Sequence, residues 1–195
     1  MEEPDDGFCK VRAYEMATTE EIIEKVGEVK QRLGLSQPPH ISTEGNRSLA
    51  KGMIAGMIGG LVATAAKSAG ERFFPPRTHG EPEPPEVLAE KIAGHSLTQR
   101  QKAVAAESIH WAFGALAGAA YGGLAEFYPA ATQKEGASFG LALATLTHEN
   151  ALPAMGLSAD HDHQTTREHT SEIATHVVYG VVTEVVRSGV RRLLK

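Results

Sequence analysis

The chain has 195 residues, enough for one domain with tails, and a formal net charge of -5 at neutral pH. That acidity is local: residues 1–45 hold 10 of the 24 acidic and 5 of the 19 basic residues, and the remainder is balanced, which excludes the basic footprint of a nucleic-acid binder. A single cysteine, Cys9, excludes an internal disulfide and gives no sign of an oxidising compartment.

The N-terminal MEEPDDGF is acidic and has no apolar core of a signal peptide, so no cleavable leader is expected. Residues 1–46 read as an acidic extension, disordered at first. Thr18 and Glu21 then make a capping-box spacing ahead of an amphipathic helix at about 19–34. Its thin apolar face, Ile22, Val26, Val29 and Leu33, docks on its own protein or on a cytoplasmic partner. Ser36 to Asn46, with Pro38-Pro39, is a linker.

From residue 47 onward four segments read as membrane spans, at about 49–72, 106–128, 136–157 and 170–190. The first contains GMIAGMIGGLVATAA between Lys51 and Lys67, lysines able to snorkel and lengthen a short apolar run. Gly52, Gly56 and Gly60 recur every fourth residue and share a helix face. Lys67 and Glu71 are one turn apart and able to pair, and Pro75-Pro76 ends the helix. A polar loop follows, with a short surface helix at Pro85 to Ile92.

The second span, SIHWAFGALAGAAYGGLAEFYP, repeats the spacing with Gly114, Gly118 and Gly122. Each interior glycine costs a water-soluble helix about 1 kcal/mol relative to alanine. Three in register point to close backbone packing in lipid instead. Outward-facing glycine ladders would also serve self-association, so a homo-oligomer is expected beside the bilayer itself as a partner.

Gly136 and Gly140 continue the ladder into the third span, which His148, Glu149 and Asn150 interrupt and Pro153 kinks. ADHDHQTTREH is a polar loop whose Asp160, His161, Asp162 and His163 resemble metal ligands but lack a rigid frame. In the fourth span Glu172, His176, Tyr179, Thr183 and Arg187 fall on one helical stripe, although VVYGVV alone also suits a strand. Four spans put both termini on one side. The C-terminal Arg187, Arg191, Arg192 and Lys195, suited to anionic headgroups, make that side cytoplasmic.

The expected fold is thus all-α, a four-helix transmembrane bundle with a short-helical cytoplasmic extension. Its topology gathers Lys67, Glu71, His110, His148, Glu149, Glu172 and His176 into one half of the bundle. Ionisable groups in a span are costly, face inward and are candidates for function. Histidine exchanges protons near neutral pH, so this cluster is a candidate relay or pH sensor. His110, His148, His176 and Glu172 alternatively suit zinc or iron, or the whole set acts as hydrogen-bonded glue. Glu126, Glu184 and Arg187 form an inner polar layer, read chiefly as ion pairs. No phosphate loop or nucleophile-elbow sequence occurs, so no enzyme and no bound cofactor is expected.

Four pieces carry a resemblance over about three-quarters of the chain. They are the glycine-rich first helix with Lys67, Glu71 and Pro75-Pro76-Arg77; His110-x-x-Phe113 with Tyr121, Glu126 and Pro129; His148 with Pro153, Met155, Gly156 and Leu157; and Ser171-Glu172-Ile173 with His176, Glu184 and Arg187. In these the chain resembles the YagU-like bacterial inner-membrane proteins. The resemblance implies a multi-pass plasma-membrane protein and a link to acid resistance, with no catalytic residues. The chain differs in having fewer large apolar residues and an acidic extension. Three functions compete: pH homeostasis or small-ion conduction, a non-catalytic membrane scaffold, and a soluble four-helix metal-binding bundle.

Overall fold

The computed structural model describes residues 47–76, 82–157 and 165–194, with scattered helical positions between Glu21 and Arg32. Cys9, the apolar face of the N-terminal helix, the linker before residue 47 and the Asp160–His163 loop lie outside the described residues. Where it is described, the protein is entirely helical. The helices are α1 (Leu49–Phe73), α2 (Pro84–Ala93), α3 (Gln99–Phe127), α4 (Ala137–Leu146), α5 (Leu152–Ala154) and α6 (Thr166–Leu193).

Local chemistry explains most boundaries. Ser48 caps α1 by accepting from the Lys51 N–H. Full capping boxes open α3 at Thr98 and Gln101 and α6 at Thr165 and Glu168. The first of these starts α3 two turns before the apolar run that marked the second span. Gly94 ends α2 with a φ of 71°, a left-handed conformation that glycine adopts without penalty. VVYGVV lies inside the 28-residue α6 and is helical, because the stripe on either side keeps a 3.6-residue period.

The third apolar run is not one regular helix. Between α4 and α5, Thr147–Ala151 forms a π-helical turn. The Asn150 side chain donates to the Thr145 carbonyl five residues back at 2.7 Å, which supports the widened turn. Pro129–Gly136 joins α3 to α4 through 3-10 turns broken by a kink, where Gln133 is extended and Lys134 and Glu135 take left-handed φ of 51° and 57°.

Glycine sets the packing. A Cβ on Gly52 would lie 2.7 Å from the Gly122 carbonyl oxygen, and one on Gly122 2.7 Å from the Gly56 Cα. The ladders of α1 and α3 therefore interlock with each other in an antiparallel pair. Gly136 and Gly140 likewise meet α6 around Gly180. This corrects the expectation of outward ladders: their faces are consumed inside the chain and are not available for self-association.

α6 lies at the centre, against α1 and α4, and no residue from Glu168 to Arg192 is fully exposed. The interior it supplies is polar. The largest fully buried side chains are Arg187, Val177, Thr64, Thr183, Ser171 and Ser188. Among the described residues thirteen hydrophobic ones are buried, and eight of these are alanine. Large apolar side chains point the other way: Leu49, Met53, Ile54, Met57, Ile58, Leu61 and Val62 of α1 are 36–53% exposed.

Candidate functional site: an ionisable cavity in the bundle

Two polar layers occupy opposite ends of the bundle. At the end holding the start of α1 and the finish of α6, Arg187 donates to Glu184 through Nε at 2.7 Å and Nη2 at 2.9 Å. The Tyr121 hydroxyl donates to the same carboxylate at 2.8 Å. Glu126 accepts from Arg191 Nε at 2.9 Å and from the Ser48 backbone N–H at 2.9 Å, tying α3, α6 and the α1 start together. Glu126, Glu184 and Arg187 thus do share one end, and Arg191 completes it. Arg191 was read from sequence as a headgroup contact. Its membership of the Glu184–Arg187–Arg191 stripe, at helical spacings of three and four, was the available signal.

The other layer surrounds a cavity of about 180 Å³. α1 contributes Thr64, Lys67 and Glu71, α3 contributes His110, and α6 contributes Glu172, His176 and Tyr179. His148 enters from the π turn. Lys67 is ion-paired with Glu71, as their one-turn spacing predicts. His148 Nδ1 faces Glu172 Oε1 as an ion pair when the ring is protonated. His148 also meets His176 edge to face, with ring centroids 4.8 Å apart. His176 Nδ1 lies 2.7 Å from the Glu172 carbonyl oxygen one turn before it, which fixes the ring.

The remaining polar wall is less satisfied. His110 Nε2 is buried with no hydrogen-bond partner among the described residues. Tyr179 spends its hydroxyl proton on the Gly114 carbonyl at 2.5 Å. Glu149 is not part of the cluster: it is exposed on the π turn. Adjacent helical residues point about 100° apart, so His148 facing inward turns Glu149 away. Among the described residues no group of three or more His, Cys, Asp or Glu side chains is arranged to hold a metal ion. The zinc or iron reading is therefore not carried further.

α2 closes the cavity from one side, placing Pro84, Pro85 and Leu88 in its wall. Lys91 pins this helix by donating to the Met155 carbonyl at 2.6 Å and the Gly156 carbonyl at 3.2 Å. At its far end Glu90 accepts from the Leu97 N–H at 3.1 Å and meets Lys102 at 3.1 Å. The Leu97 hydrogen bond, followed by Lys102, holds the half-buried Glu90 carboxyl below the usual carboxylate range.

Fold and site together define an all-helical bundle with an ionisable cavity in its interior. Among the described residues one helix, α1, is long and apolar enough to cross a membrane. A family model described as a protein of unknown function, DUF1440, matches residues 61–185, more than half of the chain, and the protein belongs to that family. The match takes in every residue named in the cavity wall. Comparisons with curated proteins and with solved structures gave no match.

Proposed function

We propose that the protein is a four-span, non-enzymatic plasma-membrane protein of the YagU-like kind. In this reading both termini are cytoplasmic, and the His/Glu cavity supports pH homeostasis by moving protons or small ions. The supporting observation is the inverted distribution of polarity. Seven large apolar side chains of α1 are presented outward, while Arg187, Glu184, Glu172 and His176 are each at most 5% exposed. In water the hydrophobic effect drives the opposite arrangement, and buried alanine adds little to it. In lipid, outward apolar chains and inward ionisable ones are the stable arrangement.

α3 and α6 carry too much polarity to resemble spans by composition. α6 turns its polar residues from Glu168 to Ser188 inward, and α3 confines its exposed polar residues to the stretch from Gln99 to Ser108 while burying Glu126 near its far end, so a hydrocarbon environment would meet chiefly the apolar remainder of both. In the cavity, His148 and His176 stand in contact next to Glu172, a spacing that permits proton transfer between groups or through water.

A scaffold is the second reading, favoured by the Glu184–Arg187 pair, in which buried charges are engaged with each other inside the bundle. Proteoliposome proton flux separates the two. His148→Ala and His176→Ala, each inserted at the wild-type level, are expected to slow flux driven by an imposed pH gradient at least about tenfold, a typical contribution of a positioned proton-transfer group being larger still. Unchanged flux in both variants retires the relay and leaves the scaffold. Quantitative release of the wild-type chain by alkaline carbonate removes the membrane reading altogether.

A further inference from the structure

A proton that reaches the cavity has still to pass the bundle's middle before it meets the other polar layer. Along α6 the last residue lining the cavity is Tyr179 and the inner pair begins at Glu184, about 7.5 Å further on at 1.5 Å per residue. Three rings span that interval. Tyr121 of α3 reaches the inner layer, where its hydroxyl donates to Glu184. Tyr179 reaches the cavity. Phe139 of α4 joins them, stacked on Tyr121 with centroids 4.2 Å apart and planes at 17°, and tilted against Tyr179 at 6.0 Å.

The hydroxyls around these rings are engaged with backbone. Thr183 donates to the Tyr179 carbonyl at 2.7 Å, Tyr179 to the Gly114 carbonyl at 2.5 Å, and Thr64 to the Gly60 carbonyl at 2.8 Å. On the far side of Tyr179 the helices themselves close the interval. A Cβ on Gly60 would lie 3.0 Å from the Gly118 Cα and 3.1 Å from the Tyr179 hydroxyl, so α1 and α3 leave no room for water between them there. Buried water is held by two to four polar partners, and an apolar constriction excludes it. The interval offers water few partners and a wall of rings.

We propose that Phe139, held between Tyr121 and Tyr179, is the dry barrier that separates the cavity from the Glu184–Arg187 layer and sets the rate at which protons cross the bundle. This rests on the proposed function and adds to it the step that limits it. A phenyl ring neither gives nor takes a proton, so Phe139 acts by excluding the water that would carry one. It is also the ring able to swing. Tyr121 and Tyr179 are buried and each is tied by its hydroxyl, whereas Phe139 is half-buried and has no polar tether. The same apolar run carries both the barrier and, nine residues on in the π turn, the cavity's His148.

Proton flux in proteoliposomes of the full-length chain tests this. Phe139→Ala is expected to speed flux at least about tenfold, and Phe139→Leu, which keeps apolar bulk, to stay within about threefold of wild type. Adding His148→Ala to Phe139→Ala should slow it again, because the opened route still begins in the cavity, and the vesicles should retain entrapped calcein. Flux in Phe139→Ala no faster than wild type, indifferent to His148→Ala, or accompanied by calcein loss overturns the proposal. If wild-type flux is His148-dependent in that case, the proposed function stands without the barrier. Flux in Phe139→Ala with none in wild type keeps the barrier and removes the relay as a wild-type activity, and no flux in either removes both. Hydroxyl-radical footprinting of the unaltered protein in the same liposomes decides the matter even where Phe139→Ala does not insert. Tyr128, which is 65% exposed, should be oxidised at least about tenfold faster than Tyr121 and Phe139. Oxidation of all three at like rates would put water between the layers and overturn the barrier.

Discussion

Arg187 is the side chain on which the interior depends most. It is 2% exposed, and its guanidinium meets Glu184 in a two-point hydrogen-bonded pair while lying 5.9 Å over the Tyr121 ring. Removing one member of such a pair strands the other charge in a medium that solvates it poorly, at about 3–5 kcal/mol. Glu184→Gln should therefore lower the thermal midpoint sharply in detergent. The double variant Glu184→Leu with Arg187→Met removes both charges and should recover most of that loss. A single variant as stable as wild type, read by fluorescence-detected size exclusion after heating, would mean the pair is not buried as described. From sequence, Glu184 and Arg187 were placed with Glu126 in one polar layer read as ion pairs. Their joint partner Tyr121 was not, because it lies 63 positions away and nothing local announces the contact.

At the level of helices, the four-residue glycine repeat was legible and its partner was not. Spacing alone says that some backbone comes close; it cannot say whether that backbone belongs to the same chain. The structure gives Gly118 to α1, where an added Cβ would come within 2.7 Å of the Gly60 Cα and 2.9 Å of the Gly60 N–H nitrogen. No side chain there can rotate away, because the obstruction is backbone. Gly118→Val should separate α1 from α3 and cost at least about 1–3 kcal/mol, the range for overpacking a tight interface. Gly189 has open space beside it, and Gly189→Ala is the matching substitution with little effect or a slight helix-propensity gain. Equal melting of the two variants would show that the seam is looser than drawn. The π turn was legible only as an interruption: His148, Glu149 and Asn150 broke the apolar run, yet their polarity did not reveal which of them would face inward. The one-sided cluster of Lys67, Glu71, His110, His148, Glu172 and His176 followed from up-and-down topology, which fixes the end of the bundle at which each residue sits.

For the molecule as a whole, bulk composition averages regions of opposite character. A mean hydropathy of -0.22 looks water-soluble because the acidic extension and the polar interior are averaged with the apolar exterior. In α6, thirteen residues are buried and most of them are polar, so its polarity measures what the bundle contains and not what surrounds it. Leu61 offers a direct discrimination. It lies at the midpoint of α1 and is 36% exposed. In water, Leu61→Asp would be a surface change worth within about 0.5 kcal/mol, plus at most about 0.7 kcal/mol of helix propensity. At the centre of a bilayer the same carboxylate costs about 2.5–3.5 kcal/mol, and aspartate is too short to snorkel out. Leu61→Asp should accordingly reduce the carbonate-resistant fraction severalfold. Leu49→Asp, at the first position of the same helix and within reach of water, should leave it near the wild-type level. If both variants partition like the parent chain, the apolar belt of α1 does not face lipid, and the cavity it encloses must be sought in an aqueous protein.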